Sequence, residues 1–103
     1  MESGAVAFPE PDVVRVGGIT EWMKIAALAA SHNLPVTSHG VDEIHVHLLA
    51  AVPNASYLER HAFRIDEYLR EPFVLTEGCV EVPDRPGHGV IFDWERLASC
   101  RVG

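Results

Sequence analysis

The sequence predicts an α/β fold in which short parallel strands alternate with crossover helices. Two helical patterns are separated by short apolar runs, which gives the order β-α-β-α-β over roughly the first half of the chain. Gly17-Gly18 and Pro53-Asn54 provide breaks between these elements. Hydrophobic residues make up 48% of the 103-residue chain, which is enough for one small folded domain.

The strands are expected to be short. The first should lie near residues 5–14, where Pro9 and Pro11 restrict its length because proline has no backbone donor. The second and third should lie near residues 34–38 and 55–58, where apolar residues follow each helical pattern. Strands joined through helices in this way run parallel.

Two helices are expected to connect these strands. The first should span residues 20–31, with Thr20 as its N-cap, and the second should span residues 41–51. Right-handed crossovers place both helices on the same face of the sheet. The opposite face and both sheet edges would then be bare, which indicates that the chain is part of a larger domain.

The pattern changes after Arg60. Residues 61–103 mix charged and aromatic residues with glycine and proline, which predicts short extended pieces. A last helical turn or two should begin at Asp93, which is a good N-cap. We therefore expect two parts, residues 1–60 with the strand-helix units and residues 61–103 as an extended C-terminal segment.

The charge and the terminal sequence exclude several classes of function. A net charge of −7 argues against a nucleic-acid or anionic-membrane partner. No apolar run is long enough to span a bilayer, and the first residues lack the pattern of a signal peptide. Cys79 and Cys100 have no C-x-x-C spacing, so free thiols in a cytoplasmic protein are expected, with a Cys79–Cys100 disulfide as the alternative.

Three polar residues follow the predicted strands. Asp12, His39 and Glu59 are separated by 27 and 20 residues, each close to one strand plus one helix. In a barrel of alternating strands and helices, side chains at the C-terminal strand ends converge on one site. An acid, an imidazole and a second acid are suited to proton transfer. The alternative is that they are a turn acid, a loop histidine and a surface acid.

Two further motifs have competing interpretations. Glu43-x-His45-x-His47 contains metal-binding side chains, but His45 and His47 point to nearly opposite sides of a helix, which favours surface or interface roles. Gly17-Gly18 before a helix is compatible with anion or substrate binding at the helix N-terminus, or with a tight turn. The remaining histidines are expected on the surface, and the helical tryptophan in the core: His32, His61, His88 and Trp22.

Four segments in unbroken order resemble the mandelate racemase branch of the enolase superfamily. PDVVRVGGITEW at residues 11–22 resembles its sixth-strand motif, and PVTSHG at 35–40 resembles its seventh. AAVPNASYLE at 50–59 resembles the eighth, and VEVPDRPGHGV at 80–90 resembles the C-terminal segment that returns toward a cap domain. The resemblance implies a C-terminal fragment of a (β/α)8 TIM-type barrel, and it is nearest to acid-sugar dehydratases such as those acting on galactarate or talarate.

The resemblance implies a role for each candidate residue. His39 would be the general base that removes the proton α to a carboxylate, since an imidazole activated by a carboxylate titrates near neutral pH. Asp12 would accept a hydrogen bond from His39 and fix its tautomer. Glu59 would donate a hydrogen bond to the substrate carboxylate as it becomes an enediolate.

The resemblance also implies groups that this sequence does not contain. Family members bind Mg²⁺ through three acids on earlier strands, which also carry a lysine motif, whereas Lys24 lies in a predicted helix. We therefore expect no metal ligands in this chain, and little activity from it alone on its small-molecule sugar acid. A homo-oligomer or a complementary N-terminal chain is the expected partner. The alternative is a non-catalytic truncated remnant that folds only through such an association.

Overall fold

The computed structural model describes all residues from 1 to 103 and divides them into two compact units, Met1–His61 and Ala62–Gly103. The first unit contains helix α1 (Ile19–Ser31) and helix α2 (Asp42–Ala50). Both helices lie where the sequence predicted them, within one residue at each end. No helix in the structure is both long enough and apolar enough to cross a membrane.

Helix α1 is held in place by one apolar stripe. Trp22, Ala26 and Ala29 are buried at spacings of four and three residues, which places them on the same face. The expected N-cap at Thr20 is wrong. The cap residue is Gly18, whose φ of 108° is a conformation that glycine adopts without the steric cost of a Cβ atom.

The predicted parallel pairing is present only as one isolated bridge, between Val36 and Ala55. Val36 donates its N–H to the Asn54 carbonyl and accepts from the Ser56 N–H, both at 2.8 Å. The parallel direction predicted for the second and third strands is therefore confirmed. Their predicted lengths are wrong, because a single bridge forms in place of two extended strands.

The predicted first strand, residues 5–14, does not form. One hydrogen bond connects this segment to the bridge region, from the Thr37 N–H to the Pro9 carbonyl at 3.1 Å. Pro9 and Pro11 have no backbone N–H with which to continue a ladder. The chain then turns at Asp12, whose carbonyl accepts from the two N–H groups three and four residues later. Proline and the turn together prevent regular strand pairing.

The core of the first unit lies between the two helices and the bridge. Trp22 is fully buried, and its indole N–H donates to the Pro11 carbonyl at 2.9 Å. The Asn54 side-chain amide donates to the carbonyls of Ala26 and Leu34, which ties the chain after α2 to α1. Six buried apolar residues form one cluster: Val13, Trp22, Ala26, Val36, Leu48 and Leu49.

The second unit contains only short elements. Strands β1 (Leu75–Thr76) and β2 (Cys79–Val80) form an antiparallel hairpin, and helix α3 spans Trp94–Leu97. Two 3-10 helices complete the unit, at Asp66–Tyr68 and Ala98–Cys100. Asp93 caps α3 as predicted. Both cysteines are free and exposed, which confirms the expectation of free thiols.

Candidate active site

Asp12 and His39 lie side by side. The Asp12 Oδ2 atom is 3.4 Å from His39 Nδ1, at the loose end of the hydrogen-bond range. The Asp12 side chain is 13% exposed, whereas that of His39 is 48% exposed. A largely buried carboxylate thus faces one ring nitrogen of a histidine whose other side is open to solvent.

The surroundings of Asp12 favour its ionised form. Partial burial alone would raise its pKa, but hydrogen bonds from the Val14 backbone, His39 and the Arg15 backbone, together with the charge on His39, hold the pKa below its ordinary value of 3.8. The Val14 N–H lies 2.8 Å from Asp12 Oδ1. The exposed Arg15 guanidinium is 3.5 Å from the other oxygen. Asp12 is therefore suited to accept a hydrogen bond from His39.

His45 connects the two segments that present Asp12 and His39. It is 0% exposed, so its expected surface or interface role is wrong. Its Nε2 atom accepts from the Val13 N–H at 3.1 Å, and its Nδ1 atom lies 2.7 Å from the Gly40 carbonyl. A carbonyl can only accept, so the hydrogen is assigned to Nδ1. Neutral His45 thus links Val13, which follows Asp12, to Gly40, which follows His39.

Glu59 is attached to the same loop. Its backbone N–H donates to the Ser38 hydroxyl at 2.8 Å, and its Oε2 atom accepts from the Gly40 N–H at 2.7 Å. The next residue, Arg60, makes a 2.9 Å ion pair with Asp42 in the first turn of α2, where both side chains are largely buried. These contacts hold Glu59 and Arg60 against the loop that carries His39 and the helix that follows it.

An open cavity of about 360 Å³ borders Glu59. Its lining is completed by Phe8, Glu10, Thr37, Ser38 and Tyr57. The Thr37 hydroxyl donates to the Tyr57 carbonyl, which joins two sides of the cavity. Asp12 and His39 are not among the lining residues, so only one of the predicted site residues borders this cavity directly.

His61 is a member of this site, although its sequence context predicted only a surface position. Its Nε2 atom is 3.3 Å from Glu59 Oε2. Its ring meets the His39 ring edge to face, with centroids 5.7 Å apart and planes at 86°. The only signal in the sequence was its position two residues after Glu59, and side chains two apart share a face in extended chain.

Other candidates are not brought into the site. The Gly18 N–H donates to the Val13 carbonyl at 2.8 Å, so this donor is used within the turn that precedes α1. Gly17 has a φ of 99° and lies near the Glu21 side chain. The pair forms a tight turn, in line with the alternative interpretation. His45 has both ring nitrogens engaged in hydrogen bonds within the chain, so neither nitrogen is open to a metal ion.

The chain matches the family model described as enolase C-terminal domain-like over residues 1–96, and it belongs to this family. It is 50% identical to the 3,6-anhydro-alpha-L-galactonate cycloisomerase of Streptomyces coelicolor, over the whole chain and 28% of that protein. It is 39% identical to the L-talarate/galactarate dehydratase of Salmonella typhimurium, over 93% of the chain and 25% of that protein. The chain thus spans about a quarter of the length of these relatives.

Solved structures confirm the fold relationship. A racemase from Streptomyces coelicolor A3(2) with bound magnesium superposes with a TM-score of 0.86 at 49% identity, over 95% of this chain and 27% of that one. Magnesium is bound in several solved structures of the family. The homologues include acid-sugar dehydratases and cycloisomerases.

The donor set in this chain does not fit magnesium. The residues whose ligand atoms come together are His39, Glu59 and His61, which offer two imidazole nitrogens and one carboxylate. Mg²⁺ prefers octahedral coordination by oxygen and is rarely held by imidazole. These three side chains are therefore not a magnesium site.

Proposed function

We propose that this chain forms the part of an acid-sugar dehydratase or racemase site that removes the proton α to a carboxylate, with His39 as the general base. The observation that supports this proposal is the 3.4 Å approach of the Asp12 carboxylate to His39 Nδ1. A carboxylate that accepts from one ring nitrogen fixes the tautomer and leaves the other nitrogen with its lone pair available. The similarity to acid-sugar dehydratases and cycloisomerases supports this reaction class.

The proton would follow a short path. Asp12 accepts from the Nδ1–H group of His39, so the Nε2 lone pair of His39 takes the α-proton. The resulting imidazolium is stabilised by the ionised Asp12. In a dehydratase, the same His39 then protonates the departing β-hydroxyl, so one residue serves as base and afterwards as acid.

Glu59 is proposed to act on the substrate carboxylate. It borders the cavity, and its Oε2 atom is held by the Gly40 N–H. In its protonated form it would donate a hydrogen bond as the enediolate forms. One such donor is worth about 3–4 kcal/mol. Enzymes supply roughly 8–23 kcal/mol in total, so we propose that activity requires groups beyond those in this chain.

The two units would have different places in a complete enzyme. We propose that residues 1–60 are the last strand-helix units of an enolase-type barrel and that residues 61–103 return toward a cap domain. A complementary N-terminal chain or a homo-oligomer would complete the site. The isolated Val36–Ala55 bridge supports this proposal, because the strands of a closed barrel pair on both sides and only one parallel pair forms within this chain. The exposed rings of Phe8 and Tyr57 beside the cavity also support it.

The experiment combines the purified chain with a separately expressed N-terminal portion of the Streptomyces coelicolor relative, in Mg²⁺ buffer. Galactarate, talarate and 3,6-anhydro-galactonate are incubated in D2O, and exchange of the α-proton is followed by NMR. We expect exchange from the mixture and none from the chain alone. His39→Asn should abolish it, and His32→Gln, at an exposed histidine following α1, should not change it.

Two results would overturn the proposal. Unchanged exchange by the His39→Asn mixture would show that another group is the base. Robust turnover by the 103 residues alone would show that they need no further groups. A mixture that associates but never exchanges any of the acids would favour the alternative of a non-catalytic remnant that folds through association.

A further inference from the structure

We propose that His39, Glu59 and His61 form a binding site for a first-row transition metal ion of the Zn²⁺ type, separate from the magnesium of the family. One ligand atom from each of the three side chains lies within 4.8 Å of the other two. Two imidazoles and one carboxylate are a donor set that Zn²⁺ binds in proteins with an open fourth position. The three side chains are part-exposed, so an ion can enter from solvent.

The spacing of the donors suits this ion. Zn²⁺ bonds of about 2.0–2.2 Å in tetrahedral geometry place neighbouring donors about 3.3–3.5 Å apart. The Nε2 atom of His61 and the Oε2 atom of Glu59 are 3.3 Å apart, so this pair already has the required separation. His39 stands farther away. One of its ring nitrogens lies within 4.8 Å of a donor atom of Glu59 and of His61, so a small shift of these two part-exposed side chains completes the set while His39 keeps its contact with Asp12.

Two of the three ligands carry the outer hydrogen bonds that are typical of metal sites. Ligating histidines usually donate their second ring N–H to a carboxylate or a carbonyl, which fixes the ring. His39 has Asp12 in that position, at 3.4 Å from Nδ1, so Nε2 is the atom directed to the metal. Glu59 in turn accepts from the Gly40 N–H at 2.7 Å. The group is therefore more than a chance meeting of surface side chains.

The metal would control the proposed reaction, and this consequence rests on the proposed function. The His39 Nε2 lone pair that would bind Zn²⁺ is the one that would remove the α-proton. An occupied site thus blocks the base, and His61 is the one ligand without a role in the chemistry. Zn²⁺ should be an inhibitor that acts on His39 directly.

The test titrates the full chain with Zn²⁺ by calorimetry, and with Co²⁺ by its visible absorption. We expect one ion per chain and the intense absorption of tetrahedral Co²⁺. His61→Gln should weaken Zn²⁺ binding at least about 10-fold, and Asp12→Asn about 10- to 100-fold through loss of the outer hydrogen bond. His32→Gln is the matched control, because it removes an exposed histidine outside the cluster and should change nothing.

A second readout does not depend on the folding of a variant. In the unmodified chain, Co²⁺ should shift or broaden the ring NMR signals of His39 and His61 and leave those of His32 unchanged. Equal Zn²⁺ affinity in His61→Gln, an equal loss in His32→Gln, or displacement of Zn²⁺ by millimolar Mg²⁺ would overturn the proposal. These measurements need no turnover. If they show no metal binding, only the metal site is wrong, and the role of His39 as a base is still decided by the exchange experiment.

Discussion

The two units of the chain stabilise their helices by different means. Helix α1 has no side-chain cap, yet it buries Trp22, Ala26 and Ala29. Helix α3 buries nothing, but Asp93 accepts hydrogen bonds from the N–H groups of Glu95 and Arg96. Burial therefore holds the first unit together, while local hydrogen bonds define the helix of the second.

This difference also explains where the candidate site lies. In the first unit, polar groups are buried beside the core and have fixed partners, as His45 does. The second unit has only Leu69 and Phe73 as buried hydrophobic residues. Groups that must be held in a defined geometry for proton transfer need such a rigid surrounding. The first unit can supply it.

The largest expected effect comes from the core tryptophan. Trp22→Ala should cost about 3–5 kcal/mol in the free energy of unfolding, because it leaves a cavity and removes the hydrogen bond to Pro11. Trp94→Ala in the second unit should cost at most about 1 kcal/mol, since this residue is 69% exposed and its ring meets that of Phe92 at 5.7 Å between centroids. Urea unfolding followed by circular dichroism measures both. Equal losses would contradict the contrast between the units.

The next effect compares two histidines that each accept a backbone N–H. His45→Ala should cost about 2–3 kcal/mol, because the buried Val13 N–H and Gly40 carbonyl both lose their partner. His88→Ala should cost less than about 1 kcal/mol, since water can replace the exposed acceptor of the Val90 N–H. The same unfolding measurement applies. A larger loss for His88→Ala would show that the second unit depends on fixed polar contacts after all.

A smaller effect concerns the N-cap of α3. Asp93→Ala should cost about 1 kcal/mol, because two N–H groups of the first turn lose their acceptor. The loss should appear as faster amide exchange confined to residues 94–100. Amide exchange in α1 should stay the same. Faster exchange throughout α1 would mean that the helices of the two units are not held independently.

The smallest effect is a dependence on pH. The pKa of Asp12 is lower in the folded state than its ordinary value of 3.8. Its contribution to stability is therefore fully present above that value and is lost as the pH falls through the lower folded pKa. Asp12→Asn should flatten the loss of stability below about pH 4. Identical acid unfolding curves for the unmodified chain and Asp12→Asn would show that the folded structure does not lower the pKa of Asp12.

The helices were predictable and the strands were not, for a physical reason. A helix satisfies its own backbone, so the apolar stripe of α1 is visible in the sequence as a repeat of 3.6 residues. A strand forms its backbone hydrogen bonds with another segment of chain. The segment at 5–14 has apolar residues of the right kind, but Pro9 and Pro11 remove donors and only one neighbouring hydrogen bond forms.

The candidate site was predictable from spacing only in part. The interval between Asp12 and His39 suggested that they meet, and their side chains do. The role of His45 was not visible, because a histidine on a helix carries no signal of burial. His61 was missed for a similar reason, since its contact with Glu59 depends on how the chain bends after the bridge. The catalytic roles themselves stay predictions.

The most direct measurement is the tautomer of His39. Proton removal by His39 requires Asp12 to hold the ring in the Nδ1–H form, with the Nε2 lone pair free to take a proton. Long-range 1H–15N NMR spectra of the chain above pH 8 should show a protonated Nδ1 in His39, and Asp12→Asn should reduce the population of that form. An Nε2–H tautomer of His39 in the unmodified chain would contradict this role of His39. An Nδ1–H population that is the same in Asp12→Asn would contradict it as well.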